Sequence, residues 1–554
     1  MNYSYFSDLI EDVTDNYLDK LDPNNLIPVK IAIGDLIKLS NEAIEEFNLG
    51  PLNENSDESD PINVRYPYQK KGTQKFRYLT DPEVHQIAKL CILYFKVKKI
   101  YWEDLDDDKD NFSLAFYQNS GPNKGIYTTS ENEIKKMIRS LAPLYLIREV
   151  KEVMDLLKMA APEVLRNSNK DLICVNNGIF DYKNKKLLDF DPDYIFLSKS
   201  QIDFNPDAKL VNIEMPDGKK WNVEEWFKSL SDNEDVVDSL WEITSAILRP
   251  YVRWNKAILL YSPFGNNGKG TLCQLWRNLL GNSAYTSISI KNFSREFMLT
   301  PLLKVNAVIC DENDVGGYLD NGENFKLAIT YDPILINIKN KDPKSTRFQG
   351  LIVQCINEVL KLKDKSESMY RRFLPILMDK RFEGKERKYI KDDYIYRKEV
   401  LEYVLYKALM SDFYEFSVPE TSFELLDEMR DLNDPVRQFL NETLDECVWG
   451  LIPNDFLYEL YKAWFSENMS NESKFLSKNR FLKRVKDLLD FYEGYKVLEN
   501  NAYFETYCKD PEPLIYRYNI KTWMNTNYKG SDVSSICSPQ LKGKRFRGIL
   551  RVKN

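Results

Sequence analysis

Histidine is almost absent from this sequence: its 554 residues include only His85. One histidine excludes a histidine-rich metal site and argues against a catalytic triad that needs an imidazole base. His85 follows Asp81-Pro82-Glu83, a pattern typical of the start of a helix. We therefore interpret His85 as a structural residue.

Cysteine is also sparse, and long apolar runs are missing. The eight cysteines are scattered with no C-x-x-C pair, which predicts buried free thiols rather than disulfides or zinc ligands. No apolar run approaches the roughly eighteen residues of a membrane-spanning helix, and the first residues lack the order of a signal peptide. We expect a soluble, multidomain cytoplasmic protein with no membrane partner.

The charge is unevenly distributed. The chain carries a net charge of −8, yet residues 474–554 contain 17 Lys and Arg against 8 Asp and Glu, a local charge of +9. A basic end on an acidic body predicts local binding of a polyanion.

Acidic stretches at residues 53–61 and 103–110 have no evident chemistry. The second resembles a calcium loop or a primase metal site, but it lacks the glycine that a calcium loop needs at its sixth position. A primase metal site would also need a histidine after the acidic residues, and none follows here. We interpret the first stretch as a linker or exposed loop and the second as a solvated loop.

Residues 256–271 combine a short apolar run, a loop rich in Gly and Asn, and the start of a helical pattern that Gly281 ends. Such a loop presents backbone N–H groups and the positive end of a helix to phosphates, while Lys269 adds a mobile charge. Two departures weaken the motif: Pro263 replaces its first glycine, and Gly270 replaces the metal-binding hydroxyl, leaving Thr271 as the first available one. A glycine-rich turn of another α/β protein is the alternative.

Further along, two apolar runs end on polar residues. The first ends in Asp311-Glu312 and the second in Asn357. In a nucleotide-hydrolysing protein, Asp311 would hold Mg²⁺ and Glu312 would orient and deprotonate the attacking water. Asn357 would bind that water or the γ-phosphate. An apolar strand that ends in acidic residues is also common without such a role.

Two basic features complete the series. Residues 332–348 alternate apolar and polar positions around a turn, which predicts a hairpin with Lys341 near its tip. Its lysines would contact nucleic-acid phosphates. The alternative is a charged hairpin that is exposed to solvent and binds nothing. Arg371-Arg372 suits charge that develops on a transferring phosphoryl group, although an arginine pair is usually a surface feature.

The ordered set Gly268-Lys269, Asp311-Glu312, lysine-tipped hairpin, Asn357 and Arg371-Arg372 falls within residues 268–372. It resembles the superfamily 3 helicases, which are AAA+ hexameric DNA motors. The resemblance is strongest to the poxvirus, phage and plasmid primase-helicase branch, which includes replication initiators of phage satellites and staphylococcal pathogenicity islands. A bacterial host follows from that likeness.

The resemblance implies a multidomain α/β fold. Its expected parts are an acidic helical region at 1–80, a helical domain at 81–212, an AAA+ P-loop core at 213–410 and a winged-helix DNA-binding domain at 420–554. It also implies ATP and Mg²⁺ as cofactors, and a homo-oligomer, expected to be a hexamer, with single-stranded DNA in its channel.

The resemblance also assigns roles to single residues. The nucleotide-binding set is Gly265, Asn266, Asn267, Gly268, Lys269, Gly270 and Thr271. The metal ligands are Asp311 and Thr271, and the catalytic set is Asp311, Glu312, the sensor Asn357, and the arginine finger Arg372 with Arg371 as second choice. The hairpin residues on DNA are Lys341 first, then Lys339 and Lys344.

The carboxy-terminal part has two helical patterns, at 455–467 and 475–490, followed by short strands near 492–519. This order favours a winged helix whose basic second helix docks on duplex origin DNA, or a helix with a solvated face. The predicted DNA-binding residues are Lys478, Arg480, Lys483, Arg484, Lys544, Arg545 and Arg547.

The leading hypothesis is an ATP-dependent DNA helicase that loads itself as a replication initiator and moves along one strand as a ring. The first alternative is a non-motor origin-binding initiator that uses ATP only for assembly. The second is a small-molecule kinase, since Gly-Lys-Gly-Thr also occurs in nucleoside monophosphate kinases; those are far smaller and need no basic tail.

Overall fold

The computed structural model describes residues 3–23, 25–49, 76–101, 112–313, 322–339, 343–362, 366–384, 387–468, 475–498 and 500–552. The predictions for the acidic stretches at 53–61 and 103–110, and for Lys341, lie outside these residues. The chain forms two compact units: the first is drawn from residues 1–313, 321–355 and 378–418, and the second from 314–320, 356–377 and 419–554.

The first unit contains most of the helices. Its α-helices are Tyr3–Leu18, Val29–Leu49, Val84–Tyr94, Glu131–Leu141, Ile147–Ala160, Val223–Lys228, Glu234–Ala246, Lys269–Leu280, Glu323–Thr330, Lys388–Asp392 and Lys398–Met410. Its 3₁₀ helices are Ile290–Ser294, Thr300–Leu303 and Tyr394–Tyr396. No helix in the described part of either unit has the length and apolar content of a membrane span.

Strands are more numerous in the amino-terminal half than the sequence predicts. A four-stranded sheet has the order Tyr127–Thr128, Phe112–Tyr117, Lys98–Tyr101 and Glu163–Leu165, and a three-stranded sheet has the order Leu172–Val175, Gly178–Asp181 and Lys186–Leu188. The hairpin predicted around Asn177-Gly178 is present, with Val175 opposite Gly178. Strands of two to four residues escape period-two analysis because too few positions alternate.

The central sheet of the first unit positions the candidate site. Four strands of this sheet lie in the order Tyr285–Thr286, Ala307–Cys310, Leu351–Ile356 and Ala257–Tyr261. The first three run parallel, with Ala307 opposite Tyr285 and Leu351. Nearly continuous burial of these strands explains their uninterrupted apolar sequence, as expected where both faces of a sheet are covered.

Two small antiparallel pairs complete the first unit. Ile213–Glu214 pairs with Lys220–Trp221. The predicted hairpin consists of Pro333–Ile336 and Lys344–Arg347. Ile334 and Ile336 are buried while Leu335 is exposed, so the alternation that predicted this strand reflects one covered face.

The second unit mixes short helices and strands. Its helices are Glu367–Tyr370, Glu420–Asn433, Pro435–Thr443, Asn454–Asn468, Lys478–Leu488, Phe504–Tyr507, Leu514–Arg517 and Val533–Ile536, with 3₁₀ helices Leu489–Phe491 and Lys521–Trp523. Its strands are Phe373–Leu377, Leu451–Pro453, Tyr495–Val497, Ala502–Tyr503, Arg545–Phe546 and Gly548–Arg551. Two helices therefore occupy part of the region 492–519 for which only strands were predicted.

The carboxy-terminal strand closes a small antiparallel sheet in the second unit. Gly548–Arg551 lies between Leu451–Pro453 and Tyr495–Val497. Beneath it, Phe439, Trp464 and Phe481 share a buried aromatic core. The Phe439 ring packs edge to face with the other two rings, with centroids 5.7 and 5.9 Å apart. Such pairs stabilise a core beyond the area that they bury.

Candidate nucleotide site

The phosphate loop, residues 262–268, joins the strand Ala257–Tyr261 to the helix Lys269–Leu280, as the sequence predicts. Gly268 has φ +88°, and a Cβ there would lie 2.6 Å from a Leu230 side-chain carbon. Both the left-handed backbone and this close approach require glycine. The loop is also tied internally, because the Asn267 amide donates to the Phe264 carbonyl and its oxygen accepts from the Lys269 N–H.

Lys269 is a buried cation at the first position of the loop helix. The residue is 7 % exposed, and its ammonium lies 3.4 Å from the Ser262 carbonyl oxygen. Burial lowers the pKa of Lys269, because a charged ammonium loses hydration there. A phosphate group bound at the loop would favour the charged form of Lys269, because an opposite charge nearby stabilises an ammonium.

The Asp311 carboxylate is paired with an arginine that the sequence analysis missed. Arg277 donates from its two terminal nitrogens to the two Asp311 oxygens, at 2.8 and 3.1 Å. This pairing holds the pKa of the Asp311 carboxyl below its usual range. Lys269, Cys273 and Arg277 are spaced four residues apart on one helix. That spacing places the three residues along one face of the helix. It is the sequence signal from which Arg277 could have been predicted to lie near the site.

Glu312 and Asn313 follow Asp311 at the end of the same strand. Glu312 is exposed, and its carbonyl accepts from the Cys310 thiol at 3.1 Å. Asn313 was not predicted to matter. Its amide donates to the Cys355 carbonyl at 3.0 Å, and its oxygen accepts from the Ile290 N–H. Asn313 therefore ties the end of the acidic strand to the end of its neighbour Leu351–Ile356.

Thr271 lies in the first turn of the loop helix and is half-buried. Among the described residues, no three His, Cys, Asp or Glu side chains group as a metal site. In nucleotide sites Mg²⁺ is usually held by one or two protein ligands together with phosphate oxygens.

The other predicted catalytic residues belong to the second unit. Asn357 directly follows the strand Leu351–Ile356, and Arg371 and Arg372 follow the short helix Glu367–Tyr370. Arg372 folds back on that helix: one terminal nitrogen donates to the Ser368 hydroxyl at 2.5 Å, and its Nε is buried with no partner in the described part of the chain. Arg371 is exposed.

The hairpin lysines differ in their surroundings. Lys339, at the end of the first arm, is exposed. Lys344, on the second arm, donates to the Phe112 carbonyl at 2.7 Å and to the Ser113 hydroxyl at 2.8 Å. These bonds hold the hairpin to the four-stranded sheet of the same unit. Lys344 is therefore already engaged within the protein.

The basic helix, Lys478–Leu488, presents one apolar and one cationic face. Phe481, Val485 and Leu488 are buried, whereas Arg480 and Lys483 are exposed. Two of its cations pair with acids. Lys478 contacts Asp455, and Arg484 pairs with the buried Asp434, which caps the helix Pro435–Thr443.

The basic tail forms strands rather than a loose extension. Arg545 lies over the Tyr503 ring, 4.1 Å from its centre, across the paired strands Ala502–Tyr503 and Arg545–Phe546. Lys544 and Arg547 are exposed beside it. An arginine stacked on an aromatic ring keeps its charge while its position is fixed.

Three segments of the chain match known families. Residues 66–230 match the family described as D5 N terminal like, and residues 432–516 match the family described as Poxvirus D5 protein-like. Two of the three matches are thus of D5 type. Between them, residues 260–372 match a family of unknown function, DUF5906. That segment includes the phosphate loop, the acidic pair and both arginines.

Solved structures of one protein show a remote likeness. The A form apo structure of the NrS-1 C-terminal region is 12 % identical, covers 85 % of this chain and 100 % of that chain, and has a TM-score of 0.43. The apo structure of NrS-1 residues 305–718 is 13 % identical, covers 76 % and 97 %, and has a TM-score of 0.44.

The D5-type matches support a viral or phage protein of the primase-helicase kind. In the same general sense they support an enzyme that uses a nucleotide and takes part in DNA replication. The mixed α/β architecture with more than one unit agrees with the predicted fold class at that level.

Proposed function

We propose that this chain is an ATP-dependent DNA helicase of the superfamily 3 type and a self-loading replication initiator. The observation that carries the proposal is a phosphate loop with a buried lysine, Lys269, together with an acidic residue of the same sheet. The loop follows the strand Ala257–Tyr261, and Asp311 follows the strand Ala307–Cys310. D5-type segments flank that sheet on both sides in sequence. A small-molecule kinase has no use for those segments or for a basic carboxy-terminal helix.

In this proposal each residue of the site has one task. Lys269 and the N–H groups of the loop bind the β- and γ-phosphates and offset their charge. Glu312, exposed at the end of its strand, takes the proton of the attacking water. Asn357 orients that water. When bound, Mg²⁺ would be held by Thr271 and Asp311 and would neutralise charge on the phosphates.

The arginines act in trans within a ring of copies, expected to be six. A guanidinium from a neighbouring copy would reach the γ-phosphate and stabilise the charge that develops there. Arg372 is the first choice from sequence. Arg371 is supported by its exposure, whereas Arg372 must first leave Ser368. Hydrolysis at such a shared site couples one subunit to the next.

Two elements would contact DNA. The hairpin would present Lys341 and Lys339 to one strand in the channel, with Lys344 at the start of its second arm. In the second unit, the order of elements supports a winged helix: Pro435–Thr443, Leu451–Pro453, Asn454–Asn468, Lys478–Leu488, Tyr495–Val497 and Gly548–Arg551. Its basic helix would dock in the major groove of duplex origin DNA, and the tail strands would contact the backbone.

A strand-displacement assay on forked DNA tests the proposal. Displacement is expected with ATP and should disappear with a non-hydrolysable analogue or in Glu312→Gln. Assembly on DNA without any displacement would instead identify the initiator that uses ATP only for assembly. Retained displacement in Glu312→Gln would contradict the assigned chemistry.

The hairpin has its own test. Lys341→Ala should keep basal ATP hydrolysis and lose strand displacement, because it removes a DNA contact and leaves the nucleotide site intact. Lys304→Ala, at an exposed lysine of the same unit, serves as the control. Normal displacement by Lys341→Ala would remove the hairpin from the mechanism.

A further inference from the structure

A second lysine reaches the phosphate loop from a distant part of the sequence. Gly270 lies in the first turn of the loop helix, where a nucleotide-binding loop usually carries a hydroxyl. A Cβ built on Gly270 would lie 3.8 Å from the Lys391 Nζ. Lys391 belongs to the short helix Lys388–Asp392, which packs against the loop helix within the first unit.

The surroundings of Lys391 include several ion pairs, and it takes part in none of those in the described residues. Asp393, two positions along the chain, pairs with Arg397 instead. Lys391 is exposed, so its ammonium can be reached by a ligand bound at the loop.

The missing side chain at Gly270 and the placement of Lys391 complement each other. A nucleoside triphosphate brings several negative charges to one small volume. Lys269 and the positive end of one helix offset only part of them. Gly270 leaves open space above the first turn of the helix, and the Lys391 ammonium lies at the border of that space.

We propose that Lys391 is a second phosphate-binding lysine, which contacts a nucleotide phosphate oxygen over the face that Gly270 leaves bare. This inference rests on the proposed nucleotide site. In this arrangement the glycine at position 270, in place of the usual hydroxyl residue, makes room for the Lys391 side chain. Lys391 then offsets negative charge of the phosphates beside the loop. A lysine suits this task because its compact charge on a flexible stem adapts to a phosphate.

Direct measurement of nucleotide affinity tests the inference without any need for turnover. The full chain with Lys391→Gln should bind a fluorescent ATP analogue about 10-fold more weakly, the effect of losing one charge-assisted hydrogen bond. Lys388→Gln removes an exposed lysine from the same helix and should change the affinity less than about 2-fold. Lys391→Arg should retain most of the affinity because it keeps the charge.

Lys269→Ala separates this inference from the proposed function. If Lys269→Ala loses binding and Lys391→Gln binds as tightly as Lys388→Gln, the second lysine is refuted and the nucleotide site stands. If Lys269→Ala binds normally, the proposed site itself fails. Equal melting temperatures of Lys391→Gln and Lys388→Gln show that the affinity change is not a folding defect.

Discussion

The phosphate loop and the basic helix both collect positive charge, but they hold it differently. At the loop, Lys269 and the Arg277 side chain are only 7 % and 13 % exposed, and each has fixed polar contacts. On the basic helix, Arg480 and Lys483 are exposed. A compact triphosphate is recognised by preorganised groups, whereas the long DNA backbone can be followed by mobile side chains.

The basic helix also shows that charge counted from sequence overstates charge available for binding. Arg484 is tied to the buried Asp434 and Lys478 to Asp455. Both were predicted DNA contacts, and their role on DNA stays a prediction. If the contrast between the two regions is correct, substitutions at the loop should have large effects and those on the exposed helix small ones.

The largest effect is expected at the loop. Lys269→Ala should reduce DNA-stimulated ATP hydrolysis by roughly 1000-fold, since it removes a buried charge aimed at the phosphates. Phosphate release with saturating ATP measures this. Lys256→Ala, at the half-buried lysine directly before the strand Ala257–Tyr261, should stay within about 2-fold. Comparable losses in both variants would show a general defect instead.

The second largest effect is expected from substitution of a buried acid in the second unit. Glu512 is 0 % exposed and accepts the N–H groups of Val448, Trp449 and Leu514. Glu512→Ala leaves these donors without partners, which should cost about 3 kcal/mol. Hydrogen exchange at the Val448 and Trp449 amides should accelerate by roughly 100-fold. Glu505→Ala, at an exposed acid that accepts the Gly543 N–H, should change little.

The raised pKa of Glu512 predicts that the free energy of unfolding depends on pH. Burial raises the pKa of Glu512 above its usual range, so the folded unit favours the protonated form. Its stabilising contribution is complete below the pKa of the unfolded chain and is lost as pH rises through the folded-state pKa. Glu512→Gln keeps an acceptor without the charge, and should remove this part of the pH dependence. An unchanged profile would contradict the assignment.

The ion pair at the site should give a smaller change. Arg277→Gln releases Asp311, and we expect ATP hydrolysis to fall about 10-fold with little loss of nucleotide affinity, because Lys269 and the loop remain. Arg295→Gln, at an exposed arginine of the same unit, is the control. Faster hydrolysis in Arg277→Gln would mean that the pair restrains Asp311 rather than positions it.

The smallest effect is expected on the basic helix. Lys483→Gln should weaken duplex binding about 3-fold, similarly for all sequences, and lower the salt slope by about 1. Arg484→Gln should act mainly through stability, because it breaks the pair with Asp434. A sequence-dependent loss for Lys483→Gln would point to a base contact instead of a phosphate contact.

Sequence was most informative where local rules decide the structure. The strand, loop and helix around Lys269, the stop at Gly281 and the hairpin arms at 333–336 and 344–347 were all predicted. In each of them, apolar spacing and glycine position act over a few neighbouring residues. Gly281 has φ +79° directly after the helix, which is the expected cap.

Contacts between distant segments could not be predicted in this way. Lys344 bonds to Phe112 and Ser113, which lie 232 and 231 positions away, and Lys391 approaches Gly270, which lies 121 positions away. Residue type alone gives no partner for a lysine, since any carbonyl or hydroxyl that the fold brings near will serve. Arg277 was missed for the same reason, although its helical spacing from Lys269 offered a hint.

Mixing two inactive variants tests the shared site most directly. Lys269→Ala lacks the phosphate-binding lysine, and a double substitution of Arg371 and Arg372 by Ala lacks the arginines offered to a neighbour. If each active site combines residues of two copies, mixed rings contain boundaries with both sets intact, and the mixture should recover ATP hydrolysis that neither variant shows alone. Activity no greater than the sum of the two separate variants, in rings shown to contain both, would contradict the account.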